Sequence, residues 1–289
     1  MPTSTEFFGY HFTNLGPLTT TYEPPASCTT ATTDHLYYAN ASELSSQYGA
    51  VSCGAKMGDC YPSGSAHDKI TSRNLKIGGH PTVDFFSPGV ICPKGWTTAG
   101  VFARGDEATK DGVFTKAVTV DYQLGVEDIW GGVLEPGETL ALCCPRYWLD
   151  GGALGWGCLS SVKPFESGTY SNYCQRTAPL SALASAKTVG TSVLSDAIFS
   201  LRTFDGTGMT VPFTAASGAW PTDLSDVAII KRFPAVGMVY KEEDMKDANE
   251  TESEGTDDDN AASTMNGAGF APIVAVIVSM FVGVGMFFN

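Results

Sequence analysis

One short stretch of the sequence has residues suited to binding a sugar. Tyr147, Trp148 and Trp156 lie near Asp150, and glycines separate them. Glycines let aromatic faces reach the surface, where they stack on sugar rings, and a carboxylate accepts hydrogen bonds from sugar hydroxyls. These four residues are therefore the predicted glycan-binding set. The alternative, which we favour from sequence, is that the rings belong to the core and cover disulfides.

The sequence offers little for catalysis. Its four histidines are His11, His35, His67 and His80, and two of them have an aspartate beside them in the chain. Adjacent side chains on a strand face opposite sides, so this adjacency builds no acid–base pair, and we expect solvated loop histidines. No nucleophile elbow, zinc-protease helix, phosphate loop or dinucleotide fingerprint occurs. We predict no catalytic residue, no metal and no cofactor.

The cysteines indicate an oxidising compartment. Their number is even and all lie in the first 174 residues, at Cys28, Cys53, Cys60, Cys92, Cys143, Cys144, Cys158 and Cys174. No Cys-x-x-Cys unit or nearby histidine favours a metal site, so disulfides are predicted. Eight cysteines allow 105 pairings, which leaves the connectivity open. Adjacent strand residues face apart, so Cys143 and Cys144 are expected to reach different partners.

Two sequons agree with entry into the secretory route. Asn40-Ala41-Ser42 and Asn249-Glu250-Thr251 are acceptors for N-glycans there. The first residues contain no signal peptide, because no basic start or apolar run precedes Cys28. Either an upstream exon supplies the leader or the chain is a cytosolic tail-anchored protein. The cysteines and sequons favour the first interpretation.

The most apolar stretch of the chain is Phe270–Phe288. As a helix it would extend roughly 28 Å, about the thickness of a bilayer's hydrocarbon core. The small residues Asn260-Ala261-Ala262 and a short polar spacer precede it. These are the parts of a glycolipid (GPI) attachment signal, with Asn260 the best attachment residue and Asp259 the next. The alternative is a single transmembrane span. Both interpretations make the membrane a partner of this chain.

An acidic stretch precedes the tail. Residues 241–259 contain ten acids and two lysines, and so carry −8 of the chain's net charge of −14. The stretch has no aromatic residue to bury, so we predict a disordered, self-repelling stalk. The chain has no basic footprint, which excludes nucleic acid as a partner.

The pattern between these features predicts a mainly β fold. Residues 1–27 read as an extended Thr/Pro-rich arm, and residues 28–174 as a cysteine-rich β domain held in its first part by disulfides rather than a continuous apolar core. Within it, Val118, Val120 and Tyr122 alternate with polar residues, and Thr139–Cys144 reads as a strand after a turn at residues 135–138.

The cysteine-free segment 175–240 is predicted to complete the sheet. Its Ala- and Ser-rich part, residues 178–200, is expected to start as a short helix. Strands are predicted at residues 209–213, 227–230 and 236–240. The stalk then extends to residue 269 and the hydrophobic helix or signal tail occupies residues 270–288. Two separate domains are the alternative arrangement of the folded part.

Two motifs carry a resemblance to known sequences. Cys-Pro-x-Gly-Trp-Thr-Thr begins at Cys92, and Gly-Glu-Thr-x-x-x-Cys-Cys-Pro begins at Gly137. With the segment Phe8–Thr21, they resemble a large group of uncharacterised fungal surface proteins over roughly residues 7–240. The resemblance implies place and architecture, not an activity. Members of that group usually end in a membrane span with a cytoplasmic tail, whereas this chain stops at the apolar segment.

The sequence as a whole predicts a disulfide-stapled β-rich ectodomain on an acidic stalk with a C-terminal anchor. We expect it at the extracellular face of the cell membrane or in the cell wall, as a non-enzymatic structural or contact protein. The first alternative is a glycan-binding module that uses the aromatic set above. The second is a secreted hydrolase with an unrecognised pair of carboxylates.

Overall fold

In a computed structural model the chain folds mainly as β-strands, as predicted, and it contains four disulfides. Phe270–Phe288, the predicted stalk from residue 247 onward and the predicted strand at residues 118–122 lie outside the described residues. The structure describes residues 5–29, 35–44, 47–53, 56–78, 82–105, 109–115, 124–145, 149–150, 157–166, 170–175, 179–201, 204–205, 208–212 and 224–246.

Eighteen strands and two α-helices have both ends within the described ranges, and residues 242–246 are also helical. The strands are, in chain order, β1 Glu6–Phe7, β2 Tyr10–Asn14, β3 Leu36–Asn40, β4 Gln47–Ala50, β5 Ile77–Gly78, β6 Thr82–Phe85, β7 Trp96–Ala103, β8 Thr109–Gly112, β9 Thr139–Pro145, β10 Leu149–Asp150, β11 Gly157–Pro164, β12 Asn172–Gln175, β13 Leu183–Val189, β14 Ser192–Leu201, β15 Phe204–Asp205, β16 Met209–Pro212, β17 Val227–Pro234 and β18 Val236–Tyr240. The helices are α1 Ser65–Lys76 and α2 Val126–Val133.

Two sheets make up most of the fold. The larger has seven strands in the order β10-β11-β17-β3-β4-β12-β16, and the smaller has four in the order β18-β9-β7-β8. β17 ends at Pro234 and β18 begins at Val236, so a single residue lies between a central strand of one sheet and an edge strand of the other. Both strands are largely buried, which explains their continuous apolar runs.

Helix α2 packs its apolar face against strands from both halves of the chain. Val126, Ile129, Trp130 and Val133 are buried at the spacing that places residues on one helical face. The indole of Trp130 meets the Phe12 ring of β2 edge-on, with centroids 5.1 Å apart. The first 14 residues therefore contribute strands and side chains to the same core as α2.

Residues 28–90 were expected to depend on disulfides instead of an apolar core, and this expectation is wrong. Tyr38 and Tyr61 are fully buried, and Phe85 and Phe86 are each only 2% exposed. The apolar residues of this part are separated in sequence by polar loops, so no continuous apolar run in the sequence indicates that they form a core. The β pairing brings them together: β3 lies inside the seven-stranded sheet, and Phe86 bridges to Met238 of β18.

Residues 178–200 were expected to start as a short helix, and the helical part that the structure describes there is limited to one 3-10 turn. Apart from a short 3-10 turn at Leu180–Ala182, the described part forms the hairpin β13–β14. Gly190 has a φ of +57° at its turn, a conformation that glycine adopts without strain. Valine and threonine flank this turn, and their preference for strand outweighs the helical preference of the alanines.

Candidate functional site

One concave site is a cleft of about 630 Å³ beside the place where the two large sheets meet. This volume is within the range of about 300–1,000 Å³ that is usual for ligand pockets. Its lining comes from three parts of the chain: an N-terminal segment, the turn before β7 and the facing ends of β9, β11 and β17. The lining includes Glu23, Pro24, Pro25, Lys94, Trp96, Pro145, Ser160, Lys231 and Phe233.

Strand pairing fixes two sides of this cleft. Trp96 begins β7 and lies opposite Pro145, which ends β9. Lys231 of β17 lies opposite Ser160 of β11. The Cys144–Cys158 disulfide joins β9 to β11, so the two sides are covalently connected. Because regular sheets position these residues, the spacing of the two sides is set before any ligand arrives.

The third side is the N-terminal segment at residues 22–28. Its Tyr22 hydroxyl donates to the backbone oxygen of Asp59 at 2.6 Å, and the Lys94 amide donates to the Tyr22 carbonyl at 2.8 Å. The Cys28–Cys60 disulfide, itself part of the lining, ties the other end of the segment. Burial, with a smaller effect of Asp59, raises the pKa of Tyr22, so its hydroxyl stays a donor at neutral pH.

The charged side chains described in the cleft carry a net positive charge. Lys94 Nζ lies 2.5 Å from Glu23 Oε1, and both side chains are mostly exposed. Lys231 makes no ion pair with any residue that the structure describes, although it lines the same cleft. Among the described residues that line the cleft, the charged side chains are therefore one neutral pair and one further positive charge, on a chain whose net charge is −14.

The side chains of the predicted glycan-binding set lie outside the part of the chain that the structure describes. Tyr147, Trp148 and Trp156 lie outside the described residues, and only the backbone of Asp150 is described, in β10. The neighbours of this set are placed: Pro145 lines the cleft, and Leu149 pairs with Leu159, next to Ser160. Sequence reasoning did not single out Lys231, because a Lys-Arg pair after an apolar run carries no motif.

Trp96 contacts both the core and the cleft. It is half-buried and packs against the cluster that contains the Cys92–Cys143 disulfide. It also lines the cleft. A turn precedes it, in which the Trp96 amide donates to the Pro93 carbonyl at 2.9 Å.

A second candidate site is a buried polar group between α1 and β6. His67 Nδ1 donates to Asp84 Oδ2 at 2.6 Å, and His67 Nε2 lies 3.4 Å from Thr71 Oγ1. The expectation of a solvated loop histidine is wrong for His67, which is 6% exposed. Its partner is a residue 17 positions away, because the adjacent Asp68 instead accepts the backbone amides of Met57 and Gly58.

This hydroxyl–imidazole–carboxylate order is also that of nucleophilic catalysis. Here the imidazole is shielded from solvent, and the Tyr61 ring stacks on it with centroids 4.1 Å apart. A substrate would need access to the hydroxyl and the imidazole together. The arrangement is better suited to joining α1 to β6, as do the two hydrogen bonds between Asn74 and the Thr82 backbone.

The eight cysteines are all paired, which confirms the predicted disulfides. The pairs are Cys28–Cys60, Cys53–Cys174, Cys92–Cys143 and Cys144–Cys158. Cys143 and Cys144 thus have different partners. Asn249 and Asn260 lie outside the described residues, whereas Asn40 ends β3 at the surface.

Comparisons with protein-family models, with curated proteins and with solved structures find no match to this chain. In the described ranges no group of three or more His, Cys, Asp or Glu side chains is placed to hold a metal ion. No helix in the same ranges is long and apolar enough to cross a membrane.

Buried tyrosines are expected to make the folded protein less stable as the pH rises into the alkaline range. Burial raises the pKa of Tyr10, Tyr38 and Tyr240, and at Tyr61 both burial and the nearby Asp84 raise it well above its usual value. In the unfolded chain these phenols ionise near pH 10. The folded state therefore keeps protons that the unfolded state releases, so their contribution is complete below pH 10 and is lost as the pH rises further.

We expect the urea midpoint to be constant from about pH 8 to 9.5 and to fall steeply above about pH 10. Phenolate absorbance of the folded protein should show a group of tyrosines that ionises only on unfolding. Tyr61→Phe should make the fall shallower, with Tyr48→Phe, at a partly exposed site, as its control. Titration of every tyrosine near pH 10 in the folded protein would contradict this prediction.

Proposed function

We propose that this chain is the ectodomain of a membrane-anchored fungal cell-surface protein that works by non-covalent contact with the cell wall. The observation that carries the proposal is the pairing of all eight cysteines into four disulfides within a β-rich fold. Such disulfides persist in oxidising compartments and are rare where glutathione keeps thiols reduced. The apolar C-terminal segment supplies the anchor, as a lipid-attachment signal or as a span.

The environment of Asn40 supports the same location. Its Oδ1 accepts the backbone amides of Ser42 at 2.8 Å and Glu43 at 3.1 Å, which closes an Asx turn at the end of β3. Its Nδ2, the atom that carries an N-glycan, donates no hydrogen bond within the described residues. The partly exposed Asn40, with no described hydrogen bond from its reactive nitrogen, supports glycosylation at the first sequon.

Glycan binding is the second candidate function, and the cleft at Trp96 favours it. The half-buried Trp96 and three prolines give this cleft rigid apolar faces, while Ser160 and Lys231 place polar groups between them. A sugar presents the complementary surface, because its ring has apolar C–H faces and a polar edge. A contact protein of the cell wall would use such a cleft to hold a wall polymer.

The location is tested with cells that express the authentic full transcript. We expect an antibody against this chain to label intact cells, and a membrane-impermeant maleimide to find no free thiol on it. Asn40→Gln should remove one glycan from the protein on a gel, and Ser42→Ala should do the same because it destroys the same sequon. Both changes leave the sequon at Asn249 intact, so the glycan that they remove is the one attached to Asn40.

Treatment of the cells with a phospholipase that cuts glycolipid anchors separates the two forms of anchoring. Release into the medium identifies the lipid, with Asn260 replaced by a bulky residue as the control that abolishes it. Surface labelling without release identifies the span. A chain that stays in the cytosol with reduced thiols and unmodified sequons would overturn the proposal.

A further inference from the structure

We propose that the cleft at Trp96 binds a sugar that carries an anionic group, with the Lys231 ammonium as its counter-ion. This inference rests on the proposed function, of which it names the ligand class. The shared chemistry is a sugar ring with a carboxylate or phosphate attached. Trp96 and the prolines would contact the ring, and Lys231 would bind the anion.

The alternation of β17 directs Lys231 to the cleft. Lys231 and Phe233 are two positions apart, so they share one face of the strand, and both line the cleft. Arg232 between them faces the other side, where its guanidinium carbon lies 5.5 Å from the centre of the Tyr37 ring. The two neighbouring cations thus face opposite sides of the strand. Arg232 contacts the Tyr37 ring, and Lys231 lines the cleft.

The charge balance favours an anionic over a neutral ligand. Glu23 and Lys94 compensate each other at 2.5 Å, so the charge left over in the cleft is that of Lys231. The rest of the chain is strongly acidic and would repel an anion. A positive group inside the cleft overcomes this repulsion locally, whereas a neutral sugar would require no such group.

The walls of the cleft reduce the cost of binding. Pro24, Pro25 and Pro145 have few conformations to lose, and Trp96 is already packed against the Cys92–Cys143 cluster. The Cys28–Cys60 disulfide and the Tyr22–Asp59 hydrogen bond fix the N-terminal wall. In a preformed site of this kind, little conformational entropy of side chains and loops is lost when the ligand binds.

The test is calorimetric titration of the purified full chain in detergent with five probes. Glucuronic acid and mannose phosphate carry the two anions, glucose and mannose are their neutral parents, and inorganic phosphate is the anion without the ring. We expect an anionic sugar to bind at least about tenfold more tightly than its neutral parent and than inorganic phosphate. The two anionic probes separate a carboxylate from a phosphate ligand.

Variants assign the binding to the cleft. Lys231→Met keeps the length of the side chain but removes its charge. It should weaken binding of the anionic sugar about tenfold and leave the affinity for the neutral parent sugar unchanged. Lys110→Met is the matched control and should change binding of the anionic sugar by less than about twofold, because Lys110 pairs with Glu127 and is not among the residues that line the cleft. Glu23→Gln frees the Lys94 charge and should tighten binding. An unchanged melting temperature shows that each variant is folded.

Four outcomes would overturn the inference. Equal binding of charged and neutral sugars, or an unchanged affinity in Lys231→Met, removes the counter-ion role. Binding of none of the probes at millimolar concentration removes the cleft as a sugar site. Equal binding of inorganic phosphate and the anionic sugars identifies an anion site without sugar specificity. Surface labelling of cells does not depend on any of these results, so the proposed location fails or stands separately.

Discussion

Reduction by a thiol is expected to unfold this protein at temperatures at which the oxidised form is stable. A native disulfide typically contributes about 2–4 kcal/mol, mainly by restricting the unfolded chain. Four such bridges together are comparable with the whole stability of an ordinary domain, about 5–15 kcal/mol. Circular dichroism melting with and without reductant measures the effect, and we expect the reduced protein to have no cooperative transition above room temperature.

The bridges should differ in both the size of their effect and the ease of reduction. Cys53–Cys174 closes a loop with a sequence separation of 121, whereas Cys144–Cys158 closes one of 14. Loop entropy then gives about 5 kcal/mol for the first and about 3 kcal/mol for the second. Cys53 is exposed while Cys144 and Cys158 are buried, so mild reductant should open the most stabilising bridge first.

Paired Cys→Ala variants and timed alkylation followed by mass spectrometry measure these two orders separately. Cys53→Ala with Cys174→Ala should lower the unfolding free energy more than Cys144→Ala with Cys158→Ala. Alkylation of the oxidised protein under mild reductant should label Cys53 before Cys158. A melting curve unchanged by full reduction would show that the sheets alone hold the fold.

The sequence predicts the most deeply buried strands and misses helices α1 and α2. β18 and the first four residues of β17 are continuous apolar runs, and β9 is one bounded by a turn and a proline, so their short length and their boundaries favour strands. Helix α1 is polar along most of its length because one face is in solvent. Its buried side is marked by His67, a residue that hydropathy does not identify as core.

The candidate site was harder to predict than the fold for a physical reason. Its residues come from three distant parts of the chain, and Lys231, Ser160 and Trp96 meet only because β11 pairs with β17 and β7 with β9. No spacing in the sequence encodes such register. The eight cysteines could be predicted as disulfides because composition alone decides that question, whereas their pairing depends on the same long-range contacts.

Loss of the Asp84 carboxylate is expected to destabilise the protein more than loss of any exposed ion pair. The Asp84 and His67 side chains are 11% and 8% exposed, and Nδ1 of the imidazole lies 2.6 Å from the carboxylate. Asp84→Ala leaves the buried imidazole nitrogen without its carboxylate acceptor. We expect a cost of about 3 kcal/mol, the usual effect of removing one partner of a buried pair.

Glu23→Ala is the matched control, because it breaks an ion pair of similar length whose side chains are 67% and 63% exposed. That variant should cost less than about 1 kcal/mol, since solvent already screens the pair. Asp84→Asn should fall between the two, because its amide oxygen still accepts a hydrogen bond from Nδ1 but lacks the charge. Urea unfolding measures all three variants.

A cycle with His67→Phe then separates the contact from simple loss of packing. Removing both partners leaves no buried polar group unsatisfied, so the double variant should cost less than the sum of the single variants by about 1–3 kcal/mol. Additive costs, or an Asp84→Ala effect no larger than that of Glu23→Ala, would show that α1 is held to β6 by its other contacts. In that case the hydrogen bonds of Asn74 to Thr82 become the link to remove next.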